Sequence, residues 1–261
     1  MKLEFFSALD TGRVRRNNED MVLVDPAHGL CLLADGMGGY NAGEVASDMA
    51  VQEVHAQLLH WFTTCGSEPG ADDIRSALVD AAQTANQKVF DAAVGTPEFR
   101  GMGTTLVAAL FLGHSAWIGH IGDSRAYLFR AGHLGQISRD HSLLQEQIDA
   151  GLITHDEAAF ALHRNLVTRA VGVEDIVELE VHEHPLEPGD LLLLCSDGLS
   201  DMLPDAVMAQ VLAAHENLPA AAAALVEAAN AAGGRDNIAL ILARASLVET
   251  SPARAWWPFR R

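Results

Sequence analysis

The chain predicts an α+β fold in which a sandwich of antiparallel sheets lies between helical layers. Three observations carry this reading. Short apolar, β-rich runs open the chain and return later; the hydrophobic spacing switches to a helical period in two pairs of segments; and the order lacks the strict strand-helix alternation of a parallel α/β sheet.

Taken in order, the first strands are expected at Leu3 to Leu9, Met21 to Val24 and Leu30 to Leu33, each bounded by polar or Gly/Pro residues. From Glu44 to Phe62 the period changes, with Val51, Val54, Leu58 and Trp61 on one helical face. A second helix follows Asp72 and Asp73, where Ile74, Leu78, Ala81, Ala85 and Val89 recur at the same spacing. Strands return at Thr104 to Leu112, Ser115 to His120, Arg125 to Arg130 and His133 to Ile137. Gly113-His114 and Ala131-Gly132 supply tight turns that suit antiparallel hairpins. The stretch from His141 to about Val173 is polar and helical in short pieces, and looks like an inserted flap. Strands are expected again at Glu178 to Val181 and Asp190 to Cys195, then helices at Pro204 to Ala214 and Pro219 to Ala232, and a last strand at Asn237 to Ala243. One folded unit over residues 1–245, with the flap at about 140–175, and a short tail over 246–261 are therefore predicted.

Composition narrows the function. With 49% hydrophobic and 20% charged residues in 261 positions, the chain can bury a substantial core unaided. No apolar run approaches the ~18 residues of a membrane span. The start MKLEFFSALDTG lacks a signal peptide's layout, so a cytoplasmic location is expected. Cys31, Cys65 and Cys195 have no metal or disulfide spacing and read as small hydrophobes. The 17 Lys/Arg against 35 Asp/Glu, a net −18, argue against nucleic acid as a partner. The tail carries Arg254, Arg260 and Arg261 beside Trp256, Trp257 and Phe259; such a basic aromatic tail can touch a membrane interface or a partner, but it reads first as an ordinary terminus.

The excess acid is not spread evenly. Four times an apolar strand meets an aspartate beside a glycine or a small polar residue: Ala34-Asp35-Gly36, Gly122-Asp123-Ser124, Ser196-Asp197-Gly198 and Gly234-Arg235-Asp236-Asn237. A single Asp-Gly is most often a turn. Four carboxylates delivered to one sheet edge would repel unless cations neutralised them, and all-oxygen ligand sets suit magnesium or manganese. Glycine at position 36 would also let its carbonyl approach a metal closely. A fifth acidic place, Arg15-Arg16-Asn17-Asn18-Glu19-Asp20, pairs carboxylates that could hold metal-bound waters with an arginine whose planar fork could clamp a phosphate. The histidines show no ligand pattern, although His182 and His184 would share one strand face. Arg125 reads as a salt-bridge partner, and Asn237 as a donor orienting Asp236.

The ordered set Asn18-Glu19-Asp20, Asp35-Gly36-Met37-Gly38-Gly39, Gly101 to Thr105, Gly122-Asp123-Ser124-Arg125, Ser196-Asp197-Gly198 and Gly234-Arg235-Asp236-Asn237 resembles the metal-dependent type 2C protein phosphatases in their compact bacterial form. The resemblance spans roughly residues 3 to 244, and Asp140-His141-Ser142-Leu143 onward resembles that family's flap. It implies a four-layer α-β-β-α sandwich of two antiparallel sheets flanked by helix pairs, and a serine/threonine phosphoprotein phosphatase with two Mn2+ or Mg2+ ions and a third, weaker site. By the same resemblance Asp35 would serve both metals, Gly36 one of them, Asp197 and Asp236 the other, and Asp20 with Glu19 would act through water. Asp123 would take the third ion, with Asn165 as helper, and Arg15 would bind the phosphate. Hydrolysis would proceed by in-line attack of a metal-bridging hydroxide. Where animal relatives have a histidine proposed as general acid, this chain has Met37; Tyr40, nearby in sequence, is expected to pack or donate a hydrogen bond, and metal-bound water is the expected proton source. The implied partners are phosphorylated Ser/Thr proteins, with a bacterial Ser/Thr kinase and its substrates, and the chain is expected to be a monomer. An inactive binding homologue and a small-molecule phosphohydrolase are the alternatives. The four aspartates speak against the first, and the lack of any base- or sugar-reading motif against the second.

Overall fold

The computed structural model describes residues 1–39, 42–154, 157 and 166–247. In chain order the elements are β1 (Lys2–Asp10), β2 (Asp20–Asp25), β3 (Leu30–Met37), α1 (Ala42–Thr64), α2 (Ala71–Gly95), β4 (Gly103–Thr104), β5 (Leu106–Leu112), β6 (Ser115–Ile121), β7 (Arg125–Arg130) and β8 (His133–Gln136). There follow α3 (Leu143–Asp149), β9 (Glu180–Pro185), β10 (Leu191–Cys195), α4 (Asp197–Ser200), α5 (Asp205–Ala214), α6 (Leu218–Ala231) and β11 (Ile238–Ser246).

Two antiparallel sheets form. One has the order β1-β11-β10-β7-β8, the other β2-β3-β5-β6-β9 with β4 also on β3. The interior strands β3, β5, β10 and β11 are largely apolar on both faces, and the two faces serve different layers. On β3, Leu30, Leu32 and Ala34 pack with Val51, Val54 and Leu58 of α1 and Leu78 and Ala85 of α2. Cys31 and Leu33 point the other way, into a layer shared with Leu192 and Leu194 of β10 and Ala239 and Ile241 of β11. Leu191, Leu193, Leu240 and Leu242 turn outward instead, onto Met208 and Leu212 of α5 and Leu225 of α6. Period-two alternation with no polar face is what a sheet needs when it is covered on both sides. The expected four-layer α-β-β-α sandwich is the result.

Local chemistry sets the punctuation. Ser142 caps α3 by accepting from the Gln145 amide at 3.2 Å, and Asn217 caps α6 by accepting from Ala220 at 3.1 Å. The β7–β8 hairpin turns on Ala131 (φ 51°) and Gly132 (φ 83°), a two-residue turn whose first position is strained for an alanine. Cys31 and Cys195 are buried, and burial pushes the Cys195 thiol up to about 12, so both behave as the small hydrophobes expected of them.

Several boundaries differ from the sequence reading. β3 runs on through Asp35 and Gly36 to Met37, because β4 pairs with its end (Gly36 with Thr104, Met37 with Gly103). Asp35 therefore sits inside a strand, not beyond one. The run expected as a single strand from Thr104 to Leu112 is broken at Thr105. β9 starts at Glu180 and extends to Pro185, not over Glu178 to Val181, since its ladder partners on β6 are Ser115 to His120. Tyr40, Asn165 and the aromatic tail residues lie outside the described residues.

Candidate metal centre

The acidic residues meet at one end of the sandwich because both sheets deliver strand ends there. Asp20 opens β2 opposite Asp35 of β3, with which it is in ladder register. Asp123 lies in the connection from β6 to β7, which crosses from one sheet to the other. Asp197 begins α4 directly after β10, and Asp236 precedes β11. Arg15, Glu19, Asp35, Asp123, Asp197 and Asp236 line one pocket of about 330 Å3, with Gly36, Met37 and Val167 also on its wall. Asp20 is buried just behind them.

Glycine allows this crowding at two points. A Cβ on Gly36 would stand 2.1 Å from the Gly43 carbonyl oxygen and 2.7 Å from that of Glu19, so the start of α1 can seat against β3 only if position 36 is bare. A Cβ on Gly198 would lie 1.8 Å from the Asn237 carbonyl oxygen, where α4 meets the turn into β11. The sequence explanation for Gly36, access to its carbonyl, is thus joined by a packing requirement.

Burial and mutual repulsion dominate the electrostatics. Burial raises the Asp35 carboxyl well above the usual range, and its neighbours Asp20, Asp197, Asp123 and Asp236 push it further. Asp197 is raised by burial and then by Asp123 and Asp236. Burial lifts Asp20 to about 7, against a hydrogen bond from Ser196, and lifts Asp123 to about 6 with help from Asp140. Glu19 is raised more mildly by burial, which the nearby Arg15 opposes. Among the described residues, Asp20 Oδ1 and Asp197 Oδ1 are buried carboxylate oxygens with no hydrogen-bond partner. Orphaned buried oxygens are rare in folded proteins and call for a missing partner. An all-oxygen set of carboxylates in an acid-rich pocket fits hard divalent cations.

Hydrogen bonds hold the acids from outside. The Thr105 hydroxyl accepts from the Asp35 amide (2.9 Å) and shares a hydrogen bond with Ser124 Oγ (2.7 Å), so one side chain ties β3 to the Asp123 turn. Ser196 Oγ donates to Asp20 Oδ2 at 2.8 Å and accepts from the Ala239 amide at 2.9 Å. The Asn237 backbone amide donates to Asp236 Oδ1 (2.9 Å), but its side chain does something the sequence did not suggest. The side-chain oxygen accepts from the Glu19 amide (2.8 Å), and the side-chain amide donates to the carbonyls of Thr11 (3.0 Å) and Asn17 (2.8 Å). It fixes the loop that presents Arg15 and Glu19. Arg15 donates to Asp236 Oδ2 at 2.7 Å, so the guanidinium is already in the pocket, on a carboxylate. Arg125 grips Asp140 with both Nε and Nη2, as a salt-bridge partner.

Thr105 and Ser196 are site residues that sequence reasoning missed: Thr105 has no acid beside it in the chain, and Ser196, next to Asp197, bonds the distant Asp20 instead. His182 and His184 do share a face of β9, but among the described residues the histidines that form a possible ligand cluster are His120 and His141, with Glu180: one ligand atom from each lies within 4.8 Å of the others. A second pocket of about 380 Å3 at the end of α2, lined by Phe90, Val94, Arg100 and Val173 among others, contains no carboxylate.

Comparison with known proteins agrees with this architecture. A family profile described as protein phosphatase 2C matches residues 13–240. The serine/threonine phosphatase stp of Listeria innocua is 37% identical over 243 residues, covering 92% of this chain and 95% of that protein. The crystal structure of the Mycobacterium tuberculosis serine/threonine phosphatase PstP/Ppp superposes with a TM-score of 0.84 at 37% identity, covering 94% of this chain and 99% of that one. A structure of the PstP catalytic domain in complex with two manganese ions superposes with a TM-score of 0.81 at 38% identity, covering 94% and 98%.

Proposed function

The chain belongs to the protein phosphatase 2C family and is a metal-dependent serine/threonine protein phosphatase, and we propose that the aspartate cluster described above is where that activity resides. The observation that carries the assignment is the pair of partnerless buried oxygens on Asp20 and Asp197, within a group of acids whose ionisation burial and repulsion oppose. In this reading Asp35, the Gly36 carbonyl, Asp197 and Asp236 would hold two Mn2+ or Mg2+ ions. Asp20 and Glu19 would act through water, and Asp123 would serve a third, weaker site. When bound, the cations supply Lewis acidity, lowering the pKa of a water nucleophile and offsetting charge on the phosphoryl oxygens.

The chain's own residues do the rest. Thr105 and Ser196 keep Asp35 and Asp20 in place, and Asn237 holds the loop that aims Arg15 into the pocket. The Arg15 fork exchanges Asp236 for the substrate phosphate, which offers the same paired oxygens and more charge. Met37, on the pocket wall, has no proton to give the leaving oxygen.

The test is hydrolysis of a phosphothreonine peptide. Chelation should abolish it, manganese should restore it, and Asp197→Asn or Asp236→Asn should leave almost none. Full activity of protein shown to be free of metal would refute the assignment. The same reading takes phosphorylated Ser/Thr proteins as substrates, in keeping with the named bacterial relatives, and extends to a bacterial Ser/Thr kinase as partner and a cytoplasmic monomer as the working form. Phosphoproteins accumulating in a strain lacking the chain, and a solution mass by light scattering, would check both. No described helix is long and apolar enough to cross a membrane.

A further inference from the structure

The buried His120 and His141 and the partly exposed Glu180 form a polar cluster behind the Asp123 turn, and nothing in the reaction uses them. Their ligand atoms are close enough for a cation, but Arg169 Nη1 stands 3.3 Å from His141 Nε2 and 3.4 Å from Glu180 Oε1. The space is already served by a positive charge. His120 Nε2 donates to the Arg139 carbonyl at 2.5 Å, and the two imidazoles stack at 4.5 Å between centroids. The cluster is therefore better explained by its hydrogen bonds than by a metal.

Those bonds have a direction. The Gly122 amide can only donate, and it points at His141 Nδ1 (3.1 Å), so Nδ1 must be the bare nitrogen of the ring. The proton then sits on Nε2, which donates to Glu180 Oε1 at 3.1 Å. Arg169, which has donors only, is left to face the carboxylate. Burial, then the neighbouring His120, pushes His141 down to about 4, which keeps the ring neutral and the tautomer meaningful. The main chain repeats the grip, since the His141 amide donates to the Gly122 carbonyl at 2.8 Å. Gly122 itself (φ +102°) carries Asp123 as the next residue, and a Cβ there would lie 2.7 Å from Thr105 Cγ2. The turn thus has no slack on the Thr105 side and is held on the other by His141.

His141 also begins the stem of the flap. Its carbonyl accepts from the Thr168 amide at 2.9 Å, the Leu143 amide donates to Leu166 at 2.9 Å, and Ser142 bridges Val167, a wall residue of the metal pocket. Asp140, the residue before it, takes the bidentate Arg125 contact from the far side of the same turn.

We propose that His141, locked as its Nε2–H tautomer by Glu180, is a positioning residue that holds the Gly122-Asp123 turn in the metal pocket and couples that turn to the flap stem. This rests on the assignment of Asp123 to the weaker metal site. With Glu180 removed, the ring can take its Nδ1–H form, which sets two donors against each other at Gly122 and displaces the turn.

The experiment uses the full chain, stripped of metal, with two readouts. Calorimetric titration with manganese reports the weakest binding event, and long-range 15N–1H spectra report which nitrogen of His141 carries the proton. Wild type should show Nε2–H. Glu180→Ala should mix the tautomers and weaken the last manganese event about tenfold while sparing the tighter ones, the size usual for a residue that orients a ligand. Glu180→Gln, whose amide oxygen still accepts, should restore both readouts. Asp123→Ala should abolish the last event; if it does not, the Asp123 assignment itself fails. If Asp123→Ala removes that event and Glu180→Ala leaves it unchanged, only the positioning role is overturned. An Nδ1–H ring in wild type, or equal weakening of every manganese event in Glu180→Ala, would also overturn it.

Discussion

Replacing Asp20 by asparagine should make the metal-free protein more stable while making the manganese-loaded protein worse. Asp20 is 6% exposed, and its folded-state pKa is lifted from 3.8 to about 7, chiefly by burial. A raised carboxylate pKa means that the folded state binds the proton more tightly than the unfolded one. Its contribution is fully present below the unfolded value near 3.8 and is lost as pH rises through about 7. A shift of roughly 3 units at 1.36 kcal/mol each makes the ionised group a burden of about 4 kcal/mol above that pH. Asparagine carries no charge, and its oxygen can still accept from Ser196 Oγ, whose bond to Asp20 is 2.8 Å. In the presence of chelator, urea denaturation at pH 8 should therefore show Asp20→Asn more stable than wild type by up to about 4 kcal/mol, the advantage vanishing near pH 4. Manganese should reverse the order at pH 8, because only the carboxylate gains a cation. A stability difference independent of pH, or a metal-free variant weaker than wild type at pH 8, would refute the argument that repulsion and burial at this site are relieved by metal.

Three other perturbations test separate parts. Arg15→Ala removes a half-exposed guanidinium poised on Asp236 at 2.7 Å and should chiefly raise KM for phosphopeptides, with kcat changing less; steady-state kinetics reporting the opposite split would remove Arg15 from substrate binding. Asp123→Ala should impair a phosphoserine peptide more than nitrophenyl phosphate, since an alkoxide needs a proton to depart and a nitrophenolate does not; equal loss on both would mean that the proton does not reach the leaving oxygen from the Asp123 end of the pocket. Thr105→Val deletes a buried hydroxyl shared by the Asp35 amide and Ser124, and should cost about 1–3 kcal/mol in chemical denaturation and lower manganese affinity about tenfold, whereas Thr105→Ser should retain both.

Much of the frame could be read from local pattern. Elements as long as α1 and α2 announce themselves by spacing, and the β7 boundaries at Arg125 and Arg130 follow from a turn on each side. β9 was misplaced because its ends depend on which residues of β6 it faces, a register that no run of its own side chains specifies. The short α4 escaped notice because Asp197-Gly198 reads as a turn; it becomes a helix where Gly198 packs against the Asn237 backbone.

The same division holds at the site. Residue identity alone marked Asp35, Asp123, Asp197 and Asp236 as acids beside small residues where apolar runs meet polar ones, because that grammar is local and repeats four times, although pairing with β4 carries β3 on past Asp35. What they do to one another belongs to the tertiary structure: residues 20, 35, 123, 197 and 236 are far apart in the chain, and Coulomb repulsion and desolvation depend on distance and burial, not on order. The roles of Thr105, Asn237 and His141 came only from the fold for the same reason. A hydroxyl, an amide and an imidazole are ordinary residues until a particular backbone amide, distant in the chain, is aimed at them.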